Sequence, residues 1–223
     1  MTLGLIVDRS QSMRPKAAAL LSVVSRLLQL TRPDDELFAV DFNDNVALAL
    51  PESQAFTNIG GGILTAVAAI PAEGQTALYD GVAMGLEHLQ LGRAERHALV
   101  VVSDGGDNVS TRKYSEILAL AQRSDAVIYA IGLLGDSPTE EQEDAGLLKR
   151  LCSDTGGVAY FPKTADEMSS VATQIARDLH EQYTLGFSPA ESAGKPLHSI
   201  KVTATGVGGG KLRVRARTGY LAQ

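Results

Sequence analysis

The sequence predicts an α/β protein with a doubly wound, mostly parallel six-stranded sheet flanked by helices, followed by a small C-terminal antiparallel β meander. Two observations support this prediction. Apolar runs typical of buried strands alternate with segments of helical period up to about residue 181, and this alternation favours parallel pairing. From residue 183 onwards the pattern is one of strands alone. We therefore divide the chain into an α/β domain, 1–182, and a β-strand extension, 183–223.

The elements of the first part follow one another in a regular order. A strand at 3–7 precedes a helix at 16–30, which ends at a polar segment containing Pro33. Further strands are predicted at 37–42, 97–102, 127–131 and 158–161, with an antiparallel edge strand at 46–50. Further helices are predicted at 62–70, after Thr76 through Leu91, and at 114–123, 145–152 and 165–181. In the extension, period-two alternation predicts strands at 183–187, 199–204 and 211–216.

A carboxylate and two hydroxyls, those of Asp8, Ser10 and Ser12, directly follow the first apolar strand. No general base stands beside either serine in the sequence, so nucleophilic chemistry is not indicated. Oxygen ligands of this kind are the ones that Mg²⁺ prefers. We interpret the cluster as the first part of a metal site.

Oxygen side chains also precede one helix and follow another strand. Thr76 opens an amphipathic stretch, and Asp104 follows the apolar run at 97–102. In open α/β sheets, ligands bind outside the carboxyl ends of the strands where the strand order reverses, so Asp8 and Asp104 would meet there if their strands are central neighbours. Read singly, the two serines and Thr76 could also cap helices, and Asp104 with Gly105 could form an ordinary turn.

These residues resemble the von Willebrand factor A domain family, whose metal-ion-dependent adhesion site is written Asp-x-Ser-x-Ser, then Thr, then Asp. The resemblance covers nearly the whole chain. The matching positions are Asp8, Ser10, Ser12, Thr76 and Asp104. A narrower resemblance, to the bacterial group of related proteins often found in acidobacteria, rests on the stretches 74–80, 103–110, 182–187 and 217–220.

The resemblance implies a Rossmann-like fold and a divalent cation, Mg²⁺ or alternatively Mn²⁺ or Ca²⁺, held by the two serine hydroxyls, the two aspartates and, in one state, Thr76. It also implies an open coordination position that an Asp or Glu side chain of a partner protein completes. At the variable positions of the motif, Arg9 departs from the small residue that the family often has, and it could cover the open face or steer an acidic ligand. We interpret Asp107 as a solvated loop carboxylate and keep it out of the ligand set.

Composition excludes other classes of partner. The chain has 223 residues, 44% of them hydrophobic, and no apolar run near the roughly 18–20 residues that a membrane span requires. Its net charge of −6 argues against a nucleic-acid surface. The basic residues of the extension alternate as they would along one solvated strand face; they are Lys211, Arg213, Arg215 and Arg217.

Enzymatic sites do not match the sequence. A phosphoryl-transfer site of the haloacid dehalogenase kind needs a second aspartate where Ser10 stands, and there is no Gly-x-Ser-x-Gly elbow. The glycines at 206–210 lack the phosphate-loop spacing, and Cys152, the only cysteine, lies in a helical apolar pattern that predicts a core residue. We expect a binding protein and not an enzyme.

The early first strand predicts that this chain is a fragment of a longer protein, and the resembled group has an upstream β segment that would cover the extension. We therefore expect an exposed β edge and homodimerisation through the C-terminal strands. The second hypothesis for function follows from this: a structural or oligomerisation domain whose metal site is empty or filled by its own chain. The resembled proteins are often exported, but the sequence carries no address signal.

Overall fold

The strand β1, Thr2–Asp8, lies at the centre of the sheet, and all seven of its residues are buried. The structure, a computed structural model, describes residues 1–51, 53–134, 138–183, 185–186 and 197–221. On one side β1 pairs in parallel with β2, Glu36–Phe42, and on the other with β4, His97–Ser103. The loops that follow β1 and β4 therefore leave the sheet side by side, which is the condition under which Asp8 and Asp104 are expected to meet.

The sheet has six strands in the order β3-β2-β1-β4-β5-β6. β3, Val46–Leu48, is the antiparallel edge strand, whereas β5, Val127–Gly132, and β6, Ala159–Tyr160, continue the parallel pairing on the far side. The predicted fold class is confirmed: a mostly parallel six-stranded sheet flanked by helices. The strand order reverses between β1 and β4, which is where such sheets form their ligand crevice.

Helices cover both faces of the sheet. One face packs against α1, Ala17–Gln29, α2, Gly60–Ala69, and α6, Ala165–Glu181. The other packs against α3, Leu78–Leu89, α4, Tyr114–Arg123, and α5, Pro138–Thr155. Leu3, Leu5 and Val7 point to the first layer and Ile6 to the second, as strand alternation requires. None of the described helices is long and apolar enough to cross a bilayer.

The predicted helix starts at residues 16 and 145 are not the ones observed. A 3₁₀ helix at Gln11–Lys16 precedes α1, so the α-helix begins one residue later than the prediction and the motif loop is followed by a tighter turn. α5 begins at Pro138, seven residues before the predicted start, because its first turns are polar and lack the apolar period on which the prediction rested.

The C-terminal extension forms two antiparallel strand pairs. β7, Leu197–Ser199, pairs with β10, Gly219–Leu221, and β8, Ala204–Thr205, pairs with β9, Lys211–Leu212. The predicted strand boundaries at 199–204 and 211–216 are therefore wrong. The first predicted strand is divided between β7, which pairs with β10 near the end of the chain, and β8, which forms a short hairpin with β9 across the glycine-rich turn. The predicted strand at 183–187 lies partly outside the described residues, and Tyr183, Leu185 and Gly186 are not in a strand.

Two arginines of the extension attach it to the α/β part, so the expectation of one solvated basic face is wrong for them. Arg217 donates to the carbonyl oxygens of Gln122, in the last turn of α4, and of Ser124, just after the helix ends, each at 2.8 Å. Arg215 forms an ion pair of 2.6 Å with Asp178 on α6. The positions of these two side chains depend on their contacts with the ends of α4 and α6. The alternating pattern of the sequence does not contain that information.

Candidate metal centre

Asp8 ends β1 and is fully buried, with 0% of its surface exposed. Its Oδ1 accepts a hydrogen bond of 2.8 Å from the backbone N–H of Ser10, and its Oδ2 accepts one of 2.6 Å from the hydroxyl of Ser103, the last residue of β4. The same Ser103 hydroxyl accepts from the backbone N–H of Gly105 at 2.9 Å. The Asp8 carboxylate is thus fixed from both central strands.

The serines of the motif lie next to each other and do not act as caps. Ser10 Oγ and Ser12 Oγ are 3.1 Å apart, with Ser10 buried and Ser12 exposed. Ser10 occupies the N-terminal flanking position of the 3₁₀ helix but makes no side-chain capping hydrogen bond there. The capping interpretation therefore does not account for the two hydroxyls, which lie together at the Asp8 loop.

Thr76 precedes α3 but is not its capping residue either, because Ala77 occupies that position. Its backbone N–H donates to Asn108 Oδ1 at 2.9 Å, and its carbonyl accepts from the backbone N–H of Asn108 at 3.0 Å. Thr76 is 5% exposed. The threonine is therefore held by the loop that follows β4, the same loop that carries Asp104.

Asp104 is the first residue after β4 and is 9% exposed. Gly105 has a φ of +103°, a backbone conformation that favours glycine, but residues 104–107 are not assigned to a turn. The Asp104 side chain has a partner of its own. Its Oδ2 accepts a hydrogen bond of 3.0 Å from the Nζ of Lys16. This ion pair crosses from the β1 loop to the β4 loop.

Backbone hydrogen bonds fasten the β1 loop to the segment before α3. The N–H of Gln11 donates to the carbonyl of Gly74 at 3.0 Å, and the N–H of Glu73 donates to the carbonyl of Arg9 at 2.8 Å. Together with the bonds between Thr76 and Asn108, these contacts bring three segments to one edge of the sheet. All five predicted site residues lie on those segments.

The electrostatics of Asp8 follow from its burial. Removal from water raises its pKa to about 6; hydrogen bonds from Ser10 and Ser103 lower it, and the nearby charge of Asp104 raises it. The negative charges of Asp8 and Asp104 lie close together, so a positive charge placed near both carboxylates would stabilise their ionised forms. Divalent cations supply such charge in proteins.

The donor set fits a hard cation. It comprises two carboxylates and three hydroxyls, all oxygen, which is the chemistry that Mg²⁺ and Ca²⁺ select. Within the described part of the chain, no group of three or more His, Cys, Asp or Glu side chains is placed to hold a metal. A cation here would therefore depend on the hydroxyls of Ser10, Ser12 and Thr76 as well as on the two aspartates.

Of the two roles expected for Arg9, the structure does not support steering of an acidic ligand. Its side chain is buried, with the residue 5% exposed, so it presents little charge to an approaching ligand. Burial lowers its pKa, while Asp41 and Asp8 favour the charged form. A residue in the middle of the motif loop thus turns towards the protein instead of steering a partner.

Several residues of the site could not be found from the sequence. Ser103 and Lys16 contact the two aspartates directly, yet nothing in the local pattern distinguishes them from an ordinary strand end and an ordinary helical lysine. Asp107, expected to be a solvated carboxylate, is half-buried and accepts from the backbone N–H of Tyr79 in the first turn of α3. Asp107 thus supplies a hydrogen-bond acceptor for one of the backbone N–H groups that lack a partner within the helix at the N-terminus of α3.

Comparisons with solved structures agree with this architecture. The chain is similar to a von Willebrand factor type A protein from Catenulispora acidiphila, with a TM-score of 0.62 and 15% identity over 78% of this chain and 41% of that one. It is similar to the pilus adhesin SpaC from Lactobacillus rhamnosus GG, with a TM-score of 0.62 and 12% identity over 80% of this chain and 30% of that one. For the conserved hypothetical protein BatB from Bacteroides thetaiotaomicron the TM-score is 0.60, with 14% identity over 79% of this chain and 98% of that one.

At these identities the solved structures show a shared fold, and the chain spans less than half the length of the first two. No curated protein matches the chain significantly. The family model for the von Willebrand factor type A domain matches residues 3–174, which includes the six strands of the main sheet, apart from Thr2, and all five predicted site residues. The chain therefore belongs to the von Willebrand factor type A domain family.

Proposed function

We propose that this chain is a divalent-cation-dependent protein-binding module of the adhesion or assembly type. The cation is held by Asp8, Ser10, Ser12, Thr76 and Asp104, and an Asp or Glu side chain of a partner protein completes its coordination. The observation that supports this most strongly is Asp8 itself: a fully buried carboxylate at the strand-order reversal, adjacent to paired hydroxyls and to the loop of a second aspartate. Burying such a charge is costly unless a counter-charge compensates it.

Mg²⁺ suits the donor set best, with Mn²⁺ and Ca²⁺ as alternatives. Mg²⁺ requires a near-octahedral arrangement of oxygens, retains some of its waters, and is usually bound by one or two carboxylates. Hydroxyls and two carboxylates provide such a set and leave room for an external oxygen. The exposed side of the site, at Ser12, is where a partner's carboxylate would approach.

A binding role is favoured over a catalytic one. The hydroxyls of Ser10 and Ser12 lie 3.1 Å apart beside the Asp8 carboxylate, a set of oxygens that suits a cation, and the sequence has no Gly-x-Ser-x-Gly elbow. Among the solved structures with this fold, SpaC is named a pilus adhesin, which is consistent with binding but concerns that protein alone. The narrower resemblance to the acidobacterial group is likewise part of the proposal.

The test is thermal unfolding of the chelator-stripped protein with and without millimolar Mg²⁺ or Mn²⁺. Selective binding to the native state raises the apparent stability by RT ln(1 + [L]/Kd), so a cation present at about 100 times its Kd adds about 2.7 kcal/mol. We expect wild type to be stabilised and Asp8→Asn, which keeps the shape but removes the charge, not to respond.

Asp34→Asn is the matched control, because Asp34 is an exposed aspartate in the turn before β2. It should respond to the cation as wild type does. If wild type shows no shift while its folding is intact by circular dichroism, the cation-dependent module is rejected.

A second function, oligomerisation through the C-terminal strands, is favoured by one observation. Large apolar side chains of the extension are exposed; they are Tyr183, Leu185, Val202, Val207, Leu212 and Val214. Strand pairs with free edges and exposed apolar surface are prone to pair with another chain. A dimer by light scattering that persists in chelator supports this role, whereas a monomer at high concentration counts against it.

A further inference from the structure

Lys16 occupies an unusual position between the two aspartate loops. It is the last residue of the 3₁₀ helix that carries Ser12, and it directly precedes α1. Its Nζ lies 3.0 Å from Asp104 Oδ2, a residue 88 positions away in the sequence. The lysine therefore links the β1 loop to the β4 loop through one of the predicted cation ligands.

This ion pair is largely shielded from water. The Lys16 side chain is 20% exposed and the Asp104 side chain 12%. Exposed pairs contribute little because water screens them, whereas a charge-assisted hydrogen bond to a largely buried carboxylate is stronger and is costly to break. Asp104 thus has an internal counter-charge of substantial strength.

The same carboxylate cannot serve two cations equally well. An ammonium group at hydrogen-bonding distance from Asp104 and a divalent ion at the Asp8 and Asp104 loops would repel each other at short range. Binding of the ion therefore weakens the contact of Lys16 with Asp104, and the contact in turn opposes binding of the ion.

We infer that Lys16 is a built-in competitor of the divalent cation: it neutralises Asp104 in the cation-free protein and lowers the affinity of the site, so that cation binding displaces Nζ from Oδ2. This inference rests on the proposed function, because it concerns the same site. It assigns to Lys16 the role of setting how much cation is needed to fill that site.

The first measurement is direct binding of Mn²⁺ to the chelator-stripped full chain, followed by loss of the electron paramagnetic resonance signal of free Mn²⁺. Lys16→Met removes the charge from a side chain of similar length, and we expect it to lower the Kd by about tenfold, in line with the strength of a charge-assisted hydrogen bond. Lys16→Arg keeps the charge and should stay within about threefold of wild type. Lys211→Met, an exposed lysine of β9, should leave the Kd unchanged.

The second measurement requires no metal. In chelator, Lys16→Met should lower the melting temperature more than Lys211→Met does, because it leaves the Asp104 carboxylate with less compensation. In saturating Mn²⁺ that difference should shrink or disappear. If Lys16→Met does not fold, Lys16→Gln replaces it in both measurements.

The outcomes separate the inference from the proposed function. Tighter binding by Lys16→Met, or binding by this variant alone, supports the competitor role. Wild-type binding that Asp8→Asn abolishes but that Lys16→Met leaves unchanged or weakens overturns the competitor role and leaves the cation site in place. If neither wild type nor Lys16→Met binds Mn²⁺ while both are folded, the cation site and the competitor role are both rejected.

Discussion

The hydroxyl of Ser103 donates a hydrogen bond of 2.6 Å to Oδ2 of Asp8, and so joins the carboxyl ends of the two central strands. Both residues are fully buried. Asp8 is the one predicted ligand that receives hydrogen bonds from both strand ends, and Ser103 is the contact that orients it across the sheet. The stability of the site therefore depends on a residue outside the motif.

Ser103→Ala should destabilise the protein by about 1–3 kcal/mol, because it leaves a buried carboxylate oxygen without its donor. Urea denaturation in chelator measures the change. Ser153→Ala is the control, since the Ser153 hydroxyl bonds a helix carbonyl at an exposed position, and it should cost less than about 0.5 kcal/mol. Equal effects of the two substitutions would contradict the role given to Ser103.

Gly157→Ala should destabilise the protein by about 3 kcal/mol, because a Cβ atom at this buried position would lie 1.9 Å from the backbone carbonyl oxygen of Ile128. The neighbour is backbone of β5 and cannot move aside as a side chain can. Thermal or urea unfolding measures the loss.

Gly146→Ala provides the opposite expectation. Gly146 lies inside α5, and a Cβ there would meet no atom within 4 Å. Alanine has the higher helix propensity by about 1 kcal/mol, so this variant should be more stable than wild type. A loss of stability at Gly146, or none at Gly157, would contradict the packing described around α5 and β5.

The thiol of Cys152 should be unreactive in the native protein. It is fully buried in the layer that packs α5 against the sheet, and burial raises its pKa, so the reactive thiolate is scarce. Labelling with Ellman's reagent should be slow in buffer and rapid in denaturant. Fast stoichiometric labelling under native conditions would show that α5 opens readily or packs differently.

Arg217→Ala should release the C-terminal strand pairs from the α/β part. The guanidinium donates to two carbonyls at the C-terminal end of α4 and forms an ion pair of 2.9 Å with Asp125. We expect faster tryptic cleavage after Lys211 and Arg213, because a loosened segment is cut more easily. Arg217→Lys should be intermediate, since lysine keeps the charge but not the planar fork.

Lys201→Ala is the control for that experiment, because Lys201 is an exposed residue of the same segment. Its cleavage rate at the other basic residues should match that of wild type. Unchanged cleavage in Arg217→Ala would mean that other contacts, such as the ion pair between Arg215 and Asp178, hold the extension in place.

Much of the fold follows from periodicity. The apolar runs that begin at Leu3 and His97 predict buried parallel strands, and the structure places those strands side by side. α4 and α6 have the predicted bounds because both carry a clear apolar stripe. The polar start of α5 and the short pairs of the extension were not predicted correctly, since neither carries a strong repeating pattern.

The sequence alone predicted that Asp8 and Asp104 would meet at one edge of the sheet if their strands are neighbours, and the family resemblance added Ser10, Ser12 and Thr76 to that site. The tertiary structure decided that β1 and β4 are neighbours and that Thr76 lies against the β4 loop. Only the tertiary structure decided which groups neutralise the aspartates. Lys16 lies 88 residues from Asp104 and Ser103 lies 95 residues from Asp8, so each contact exists only once the sheet has formed. Local sequence patterns indicate which face of a helix or strand is apolar. A contact between side chains of two loops depends on how close folding brings those loops, and the local sequence does not show that distance.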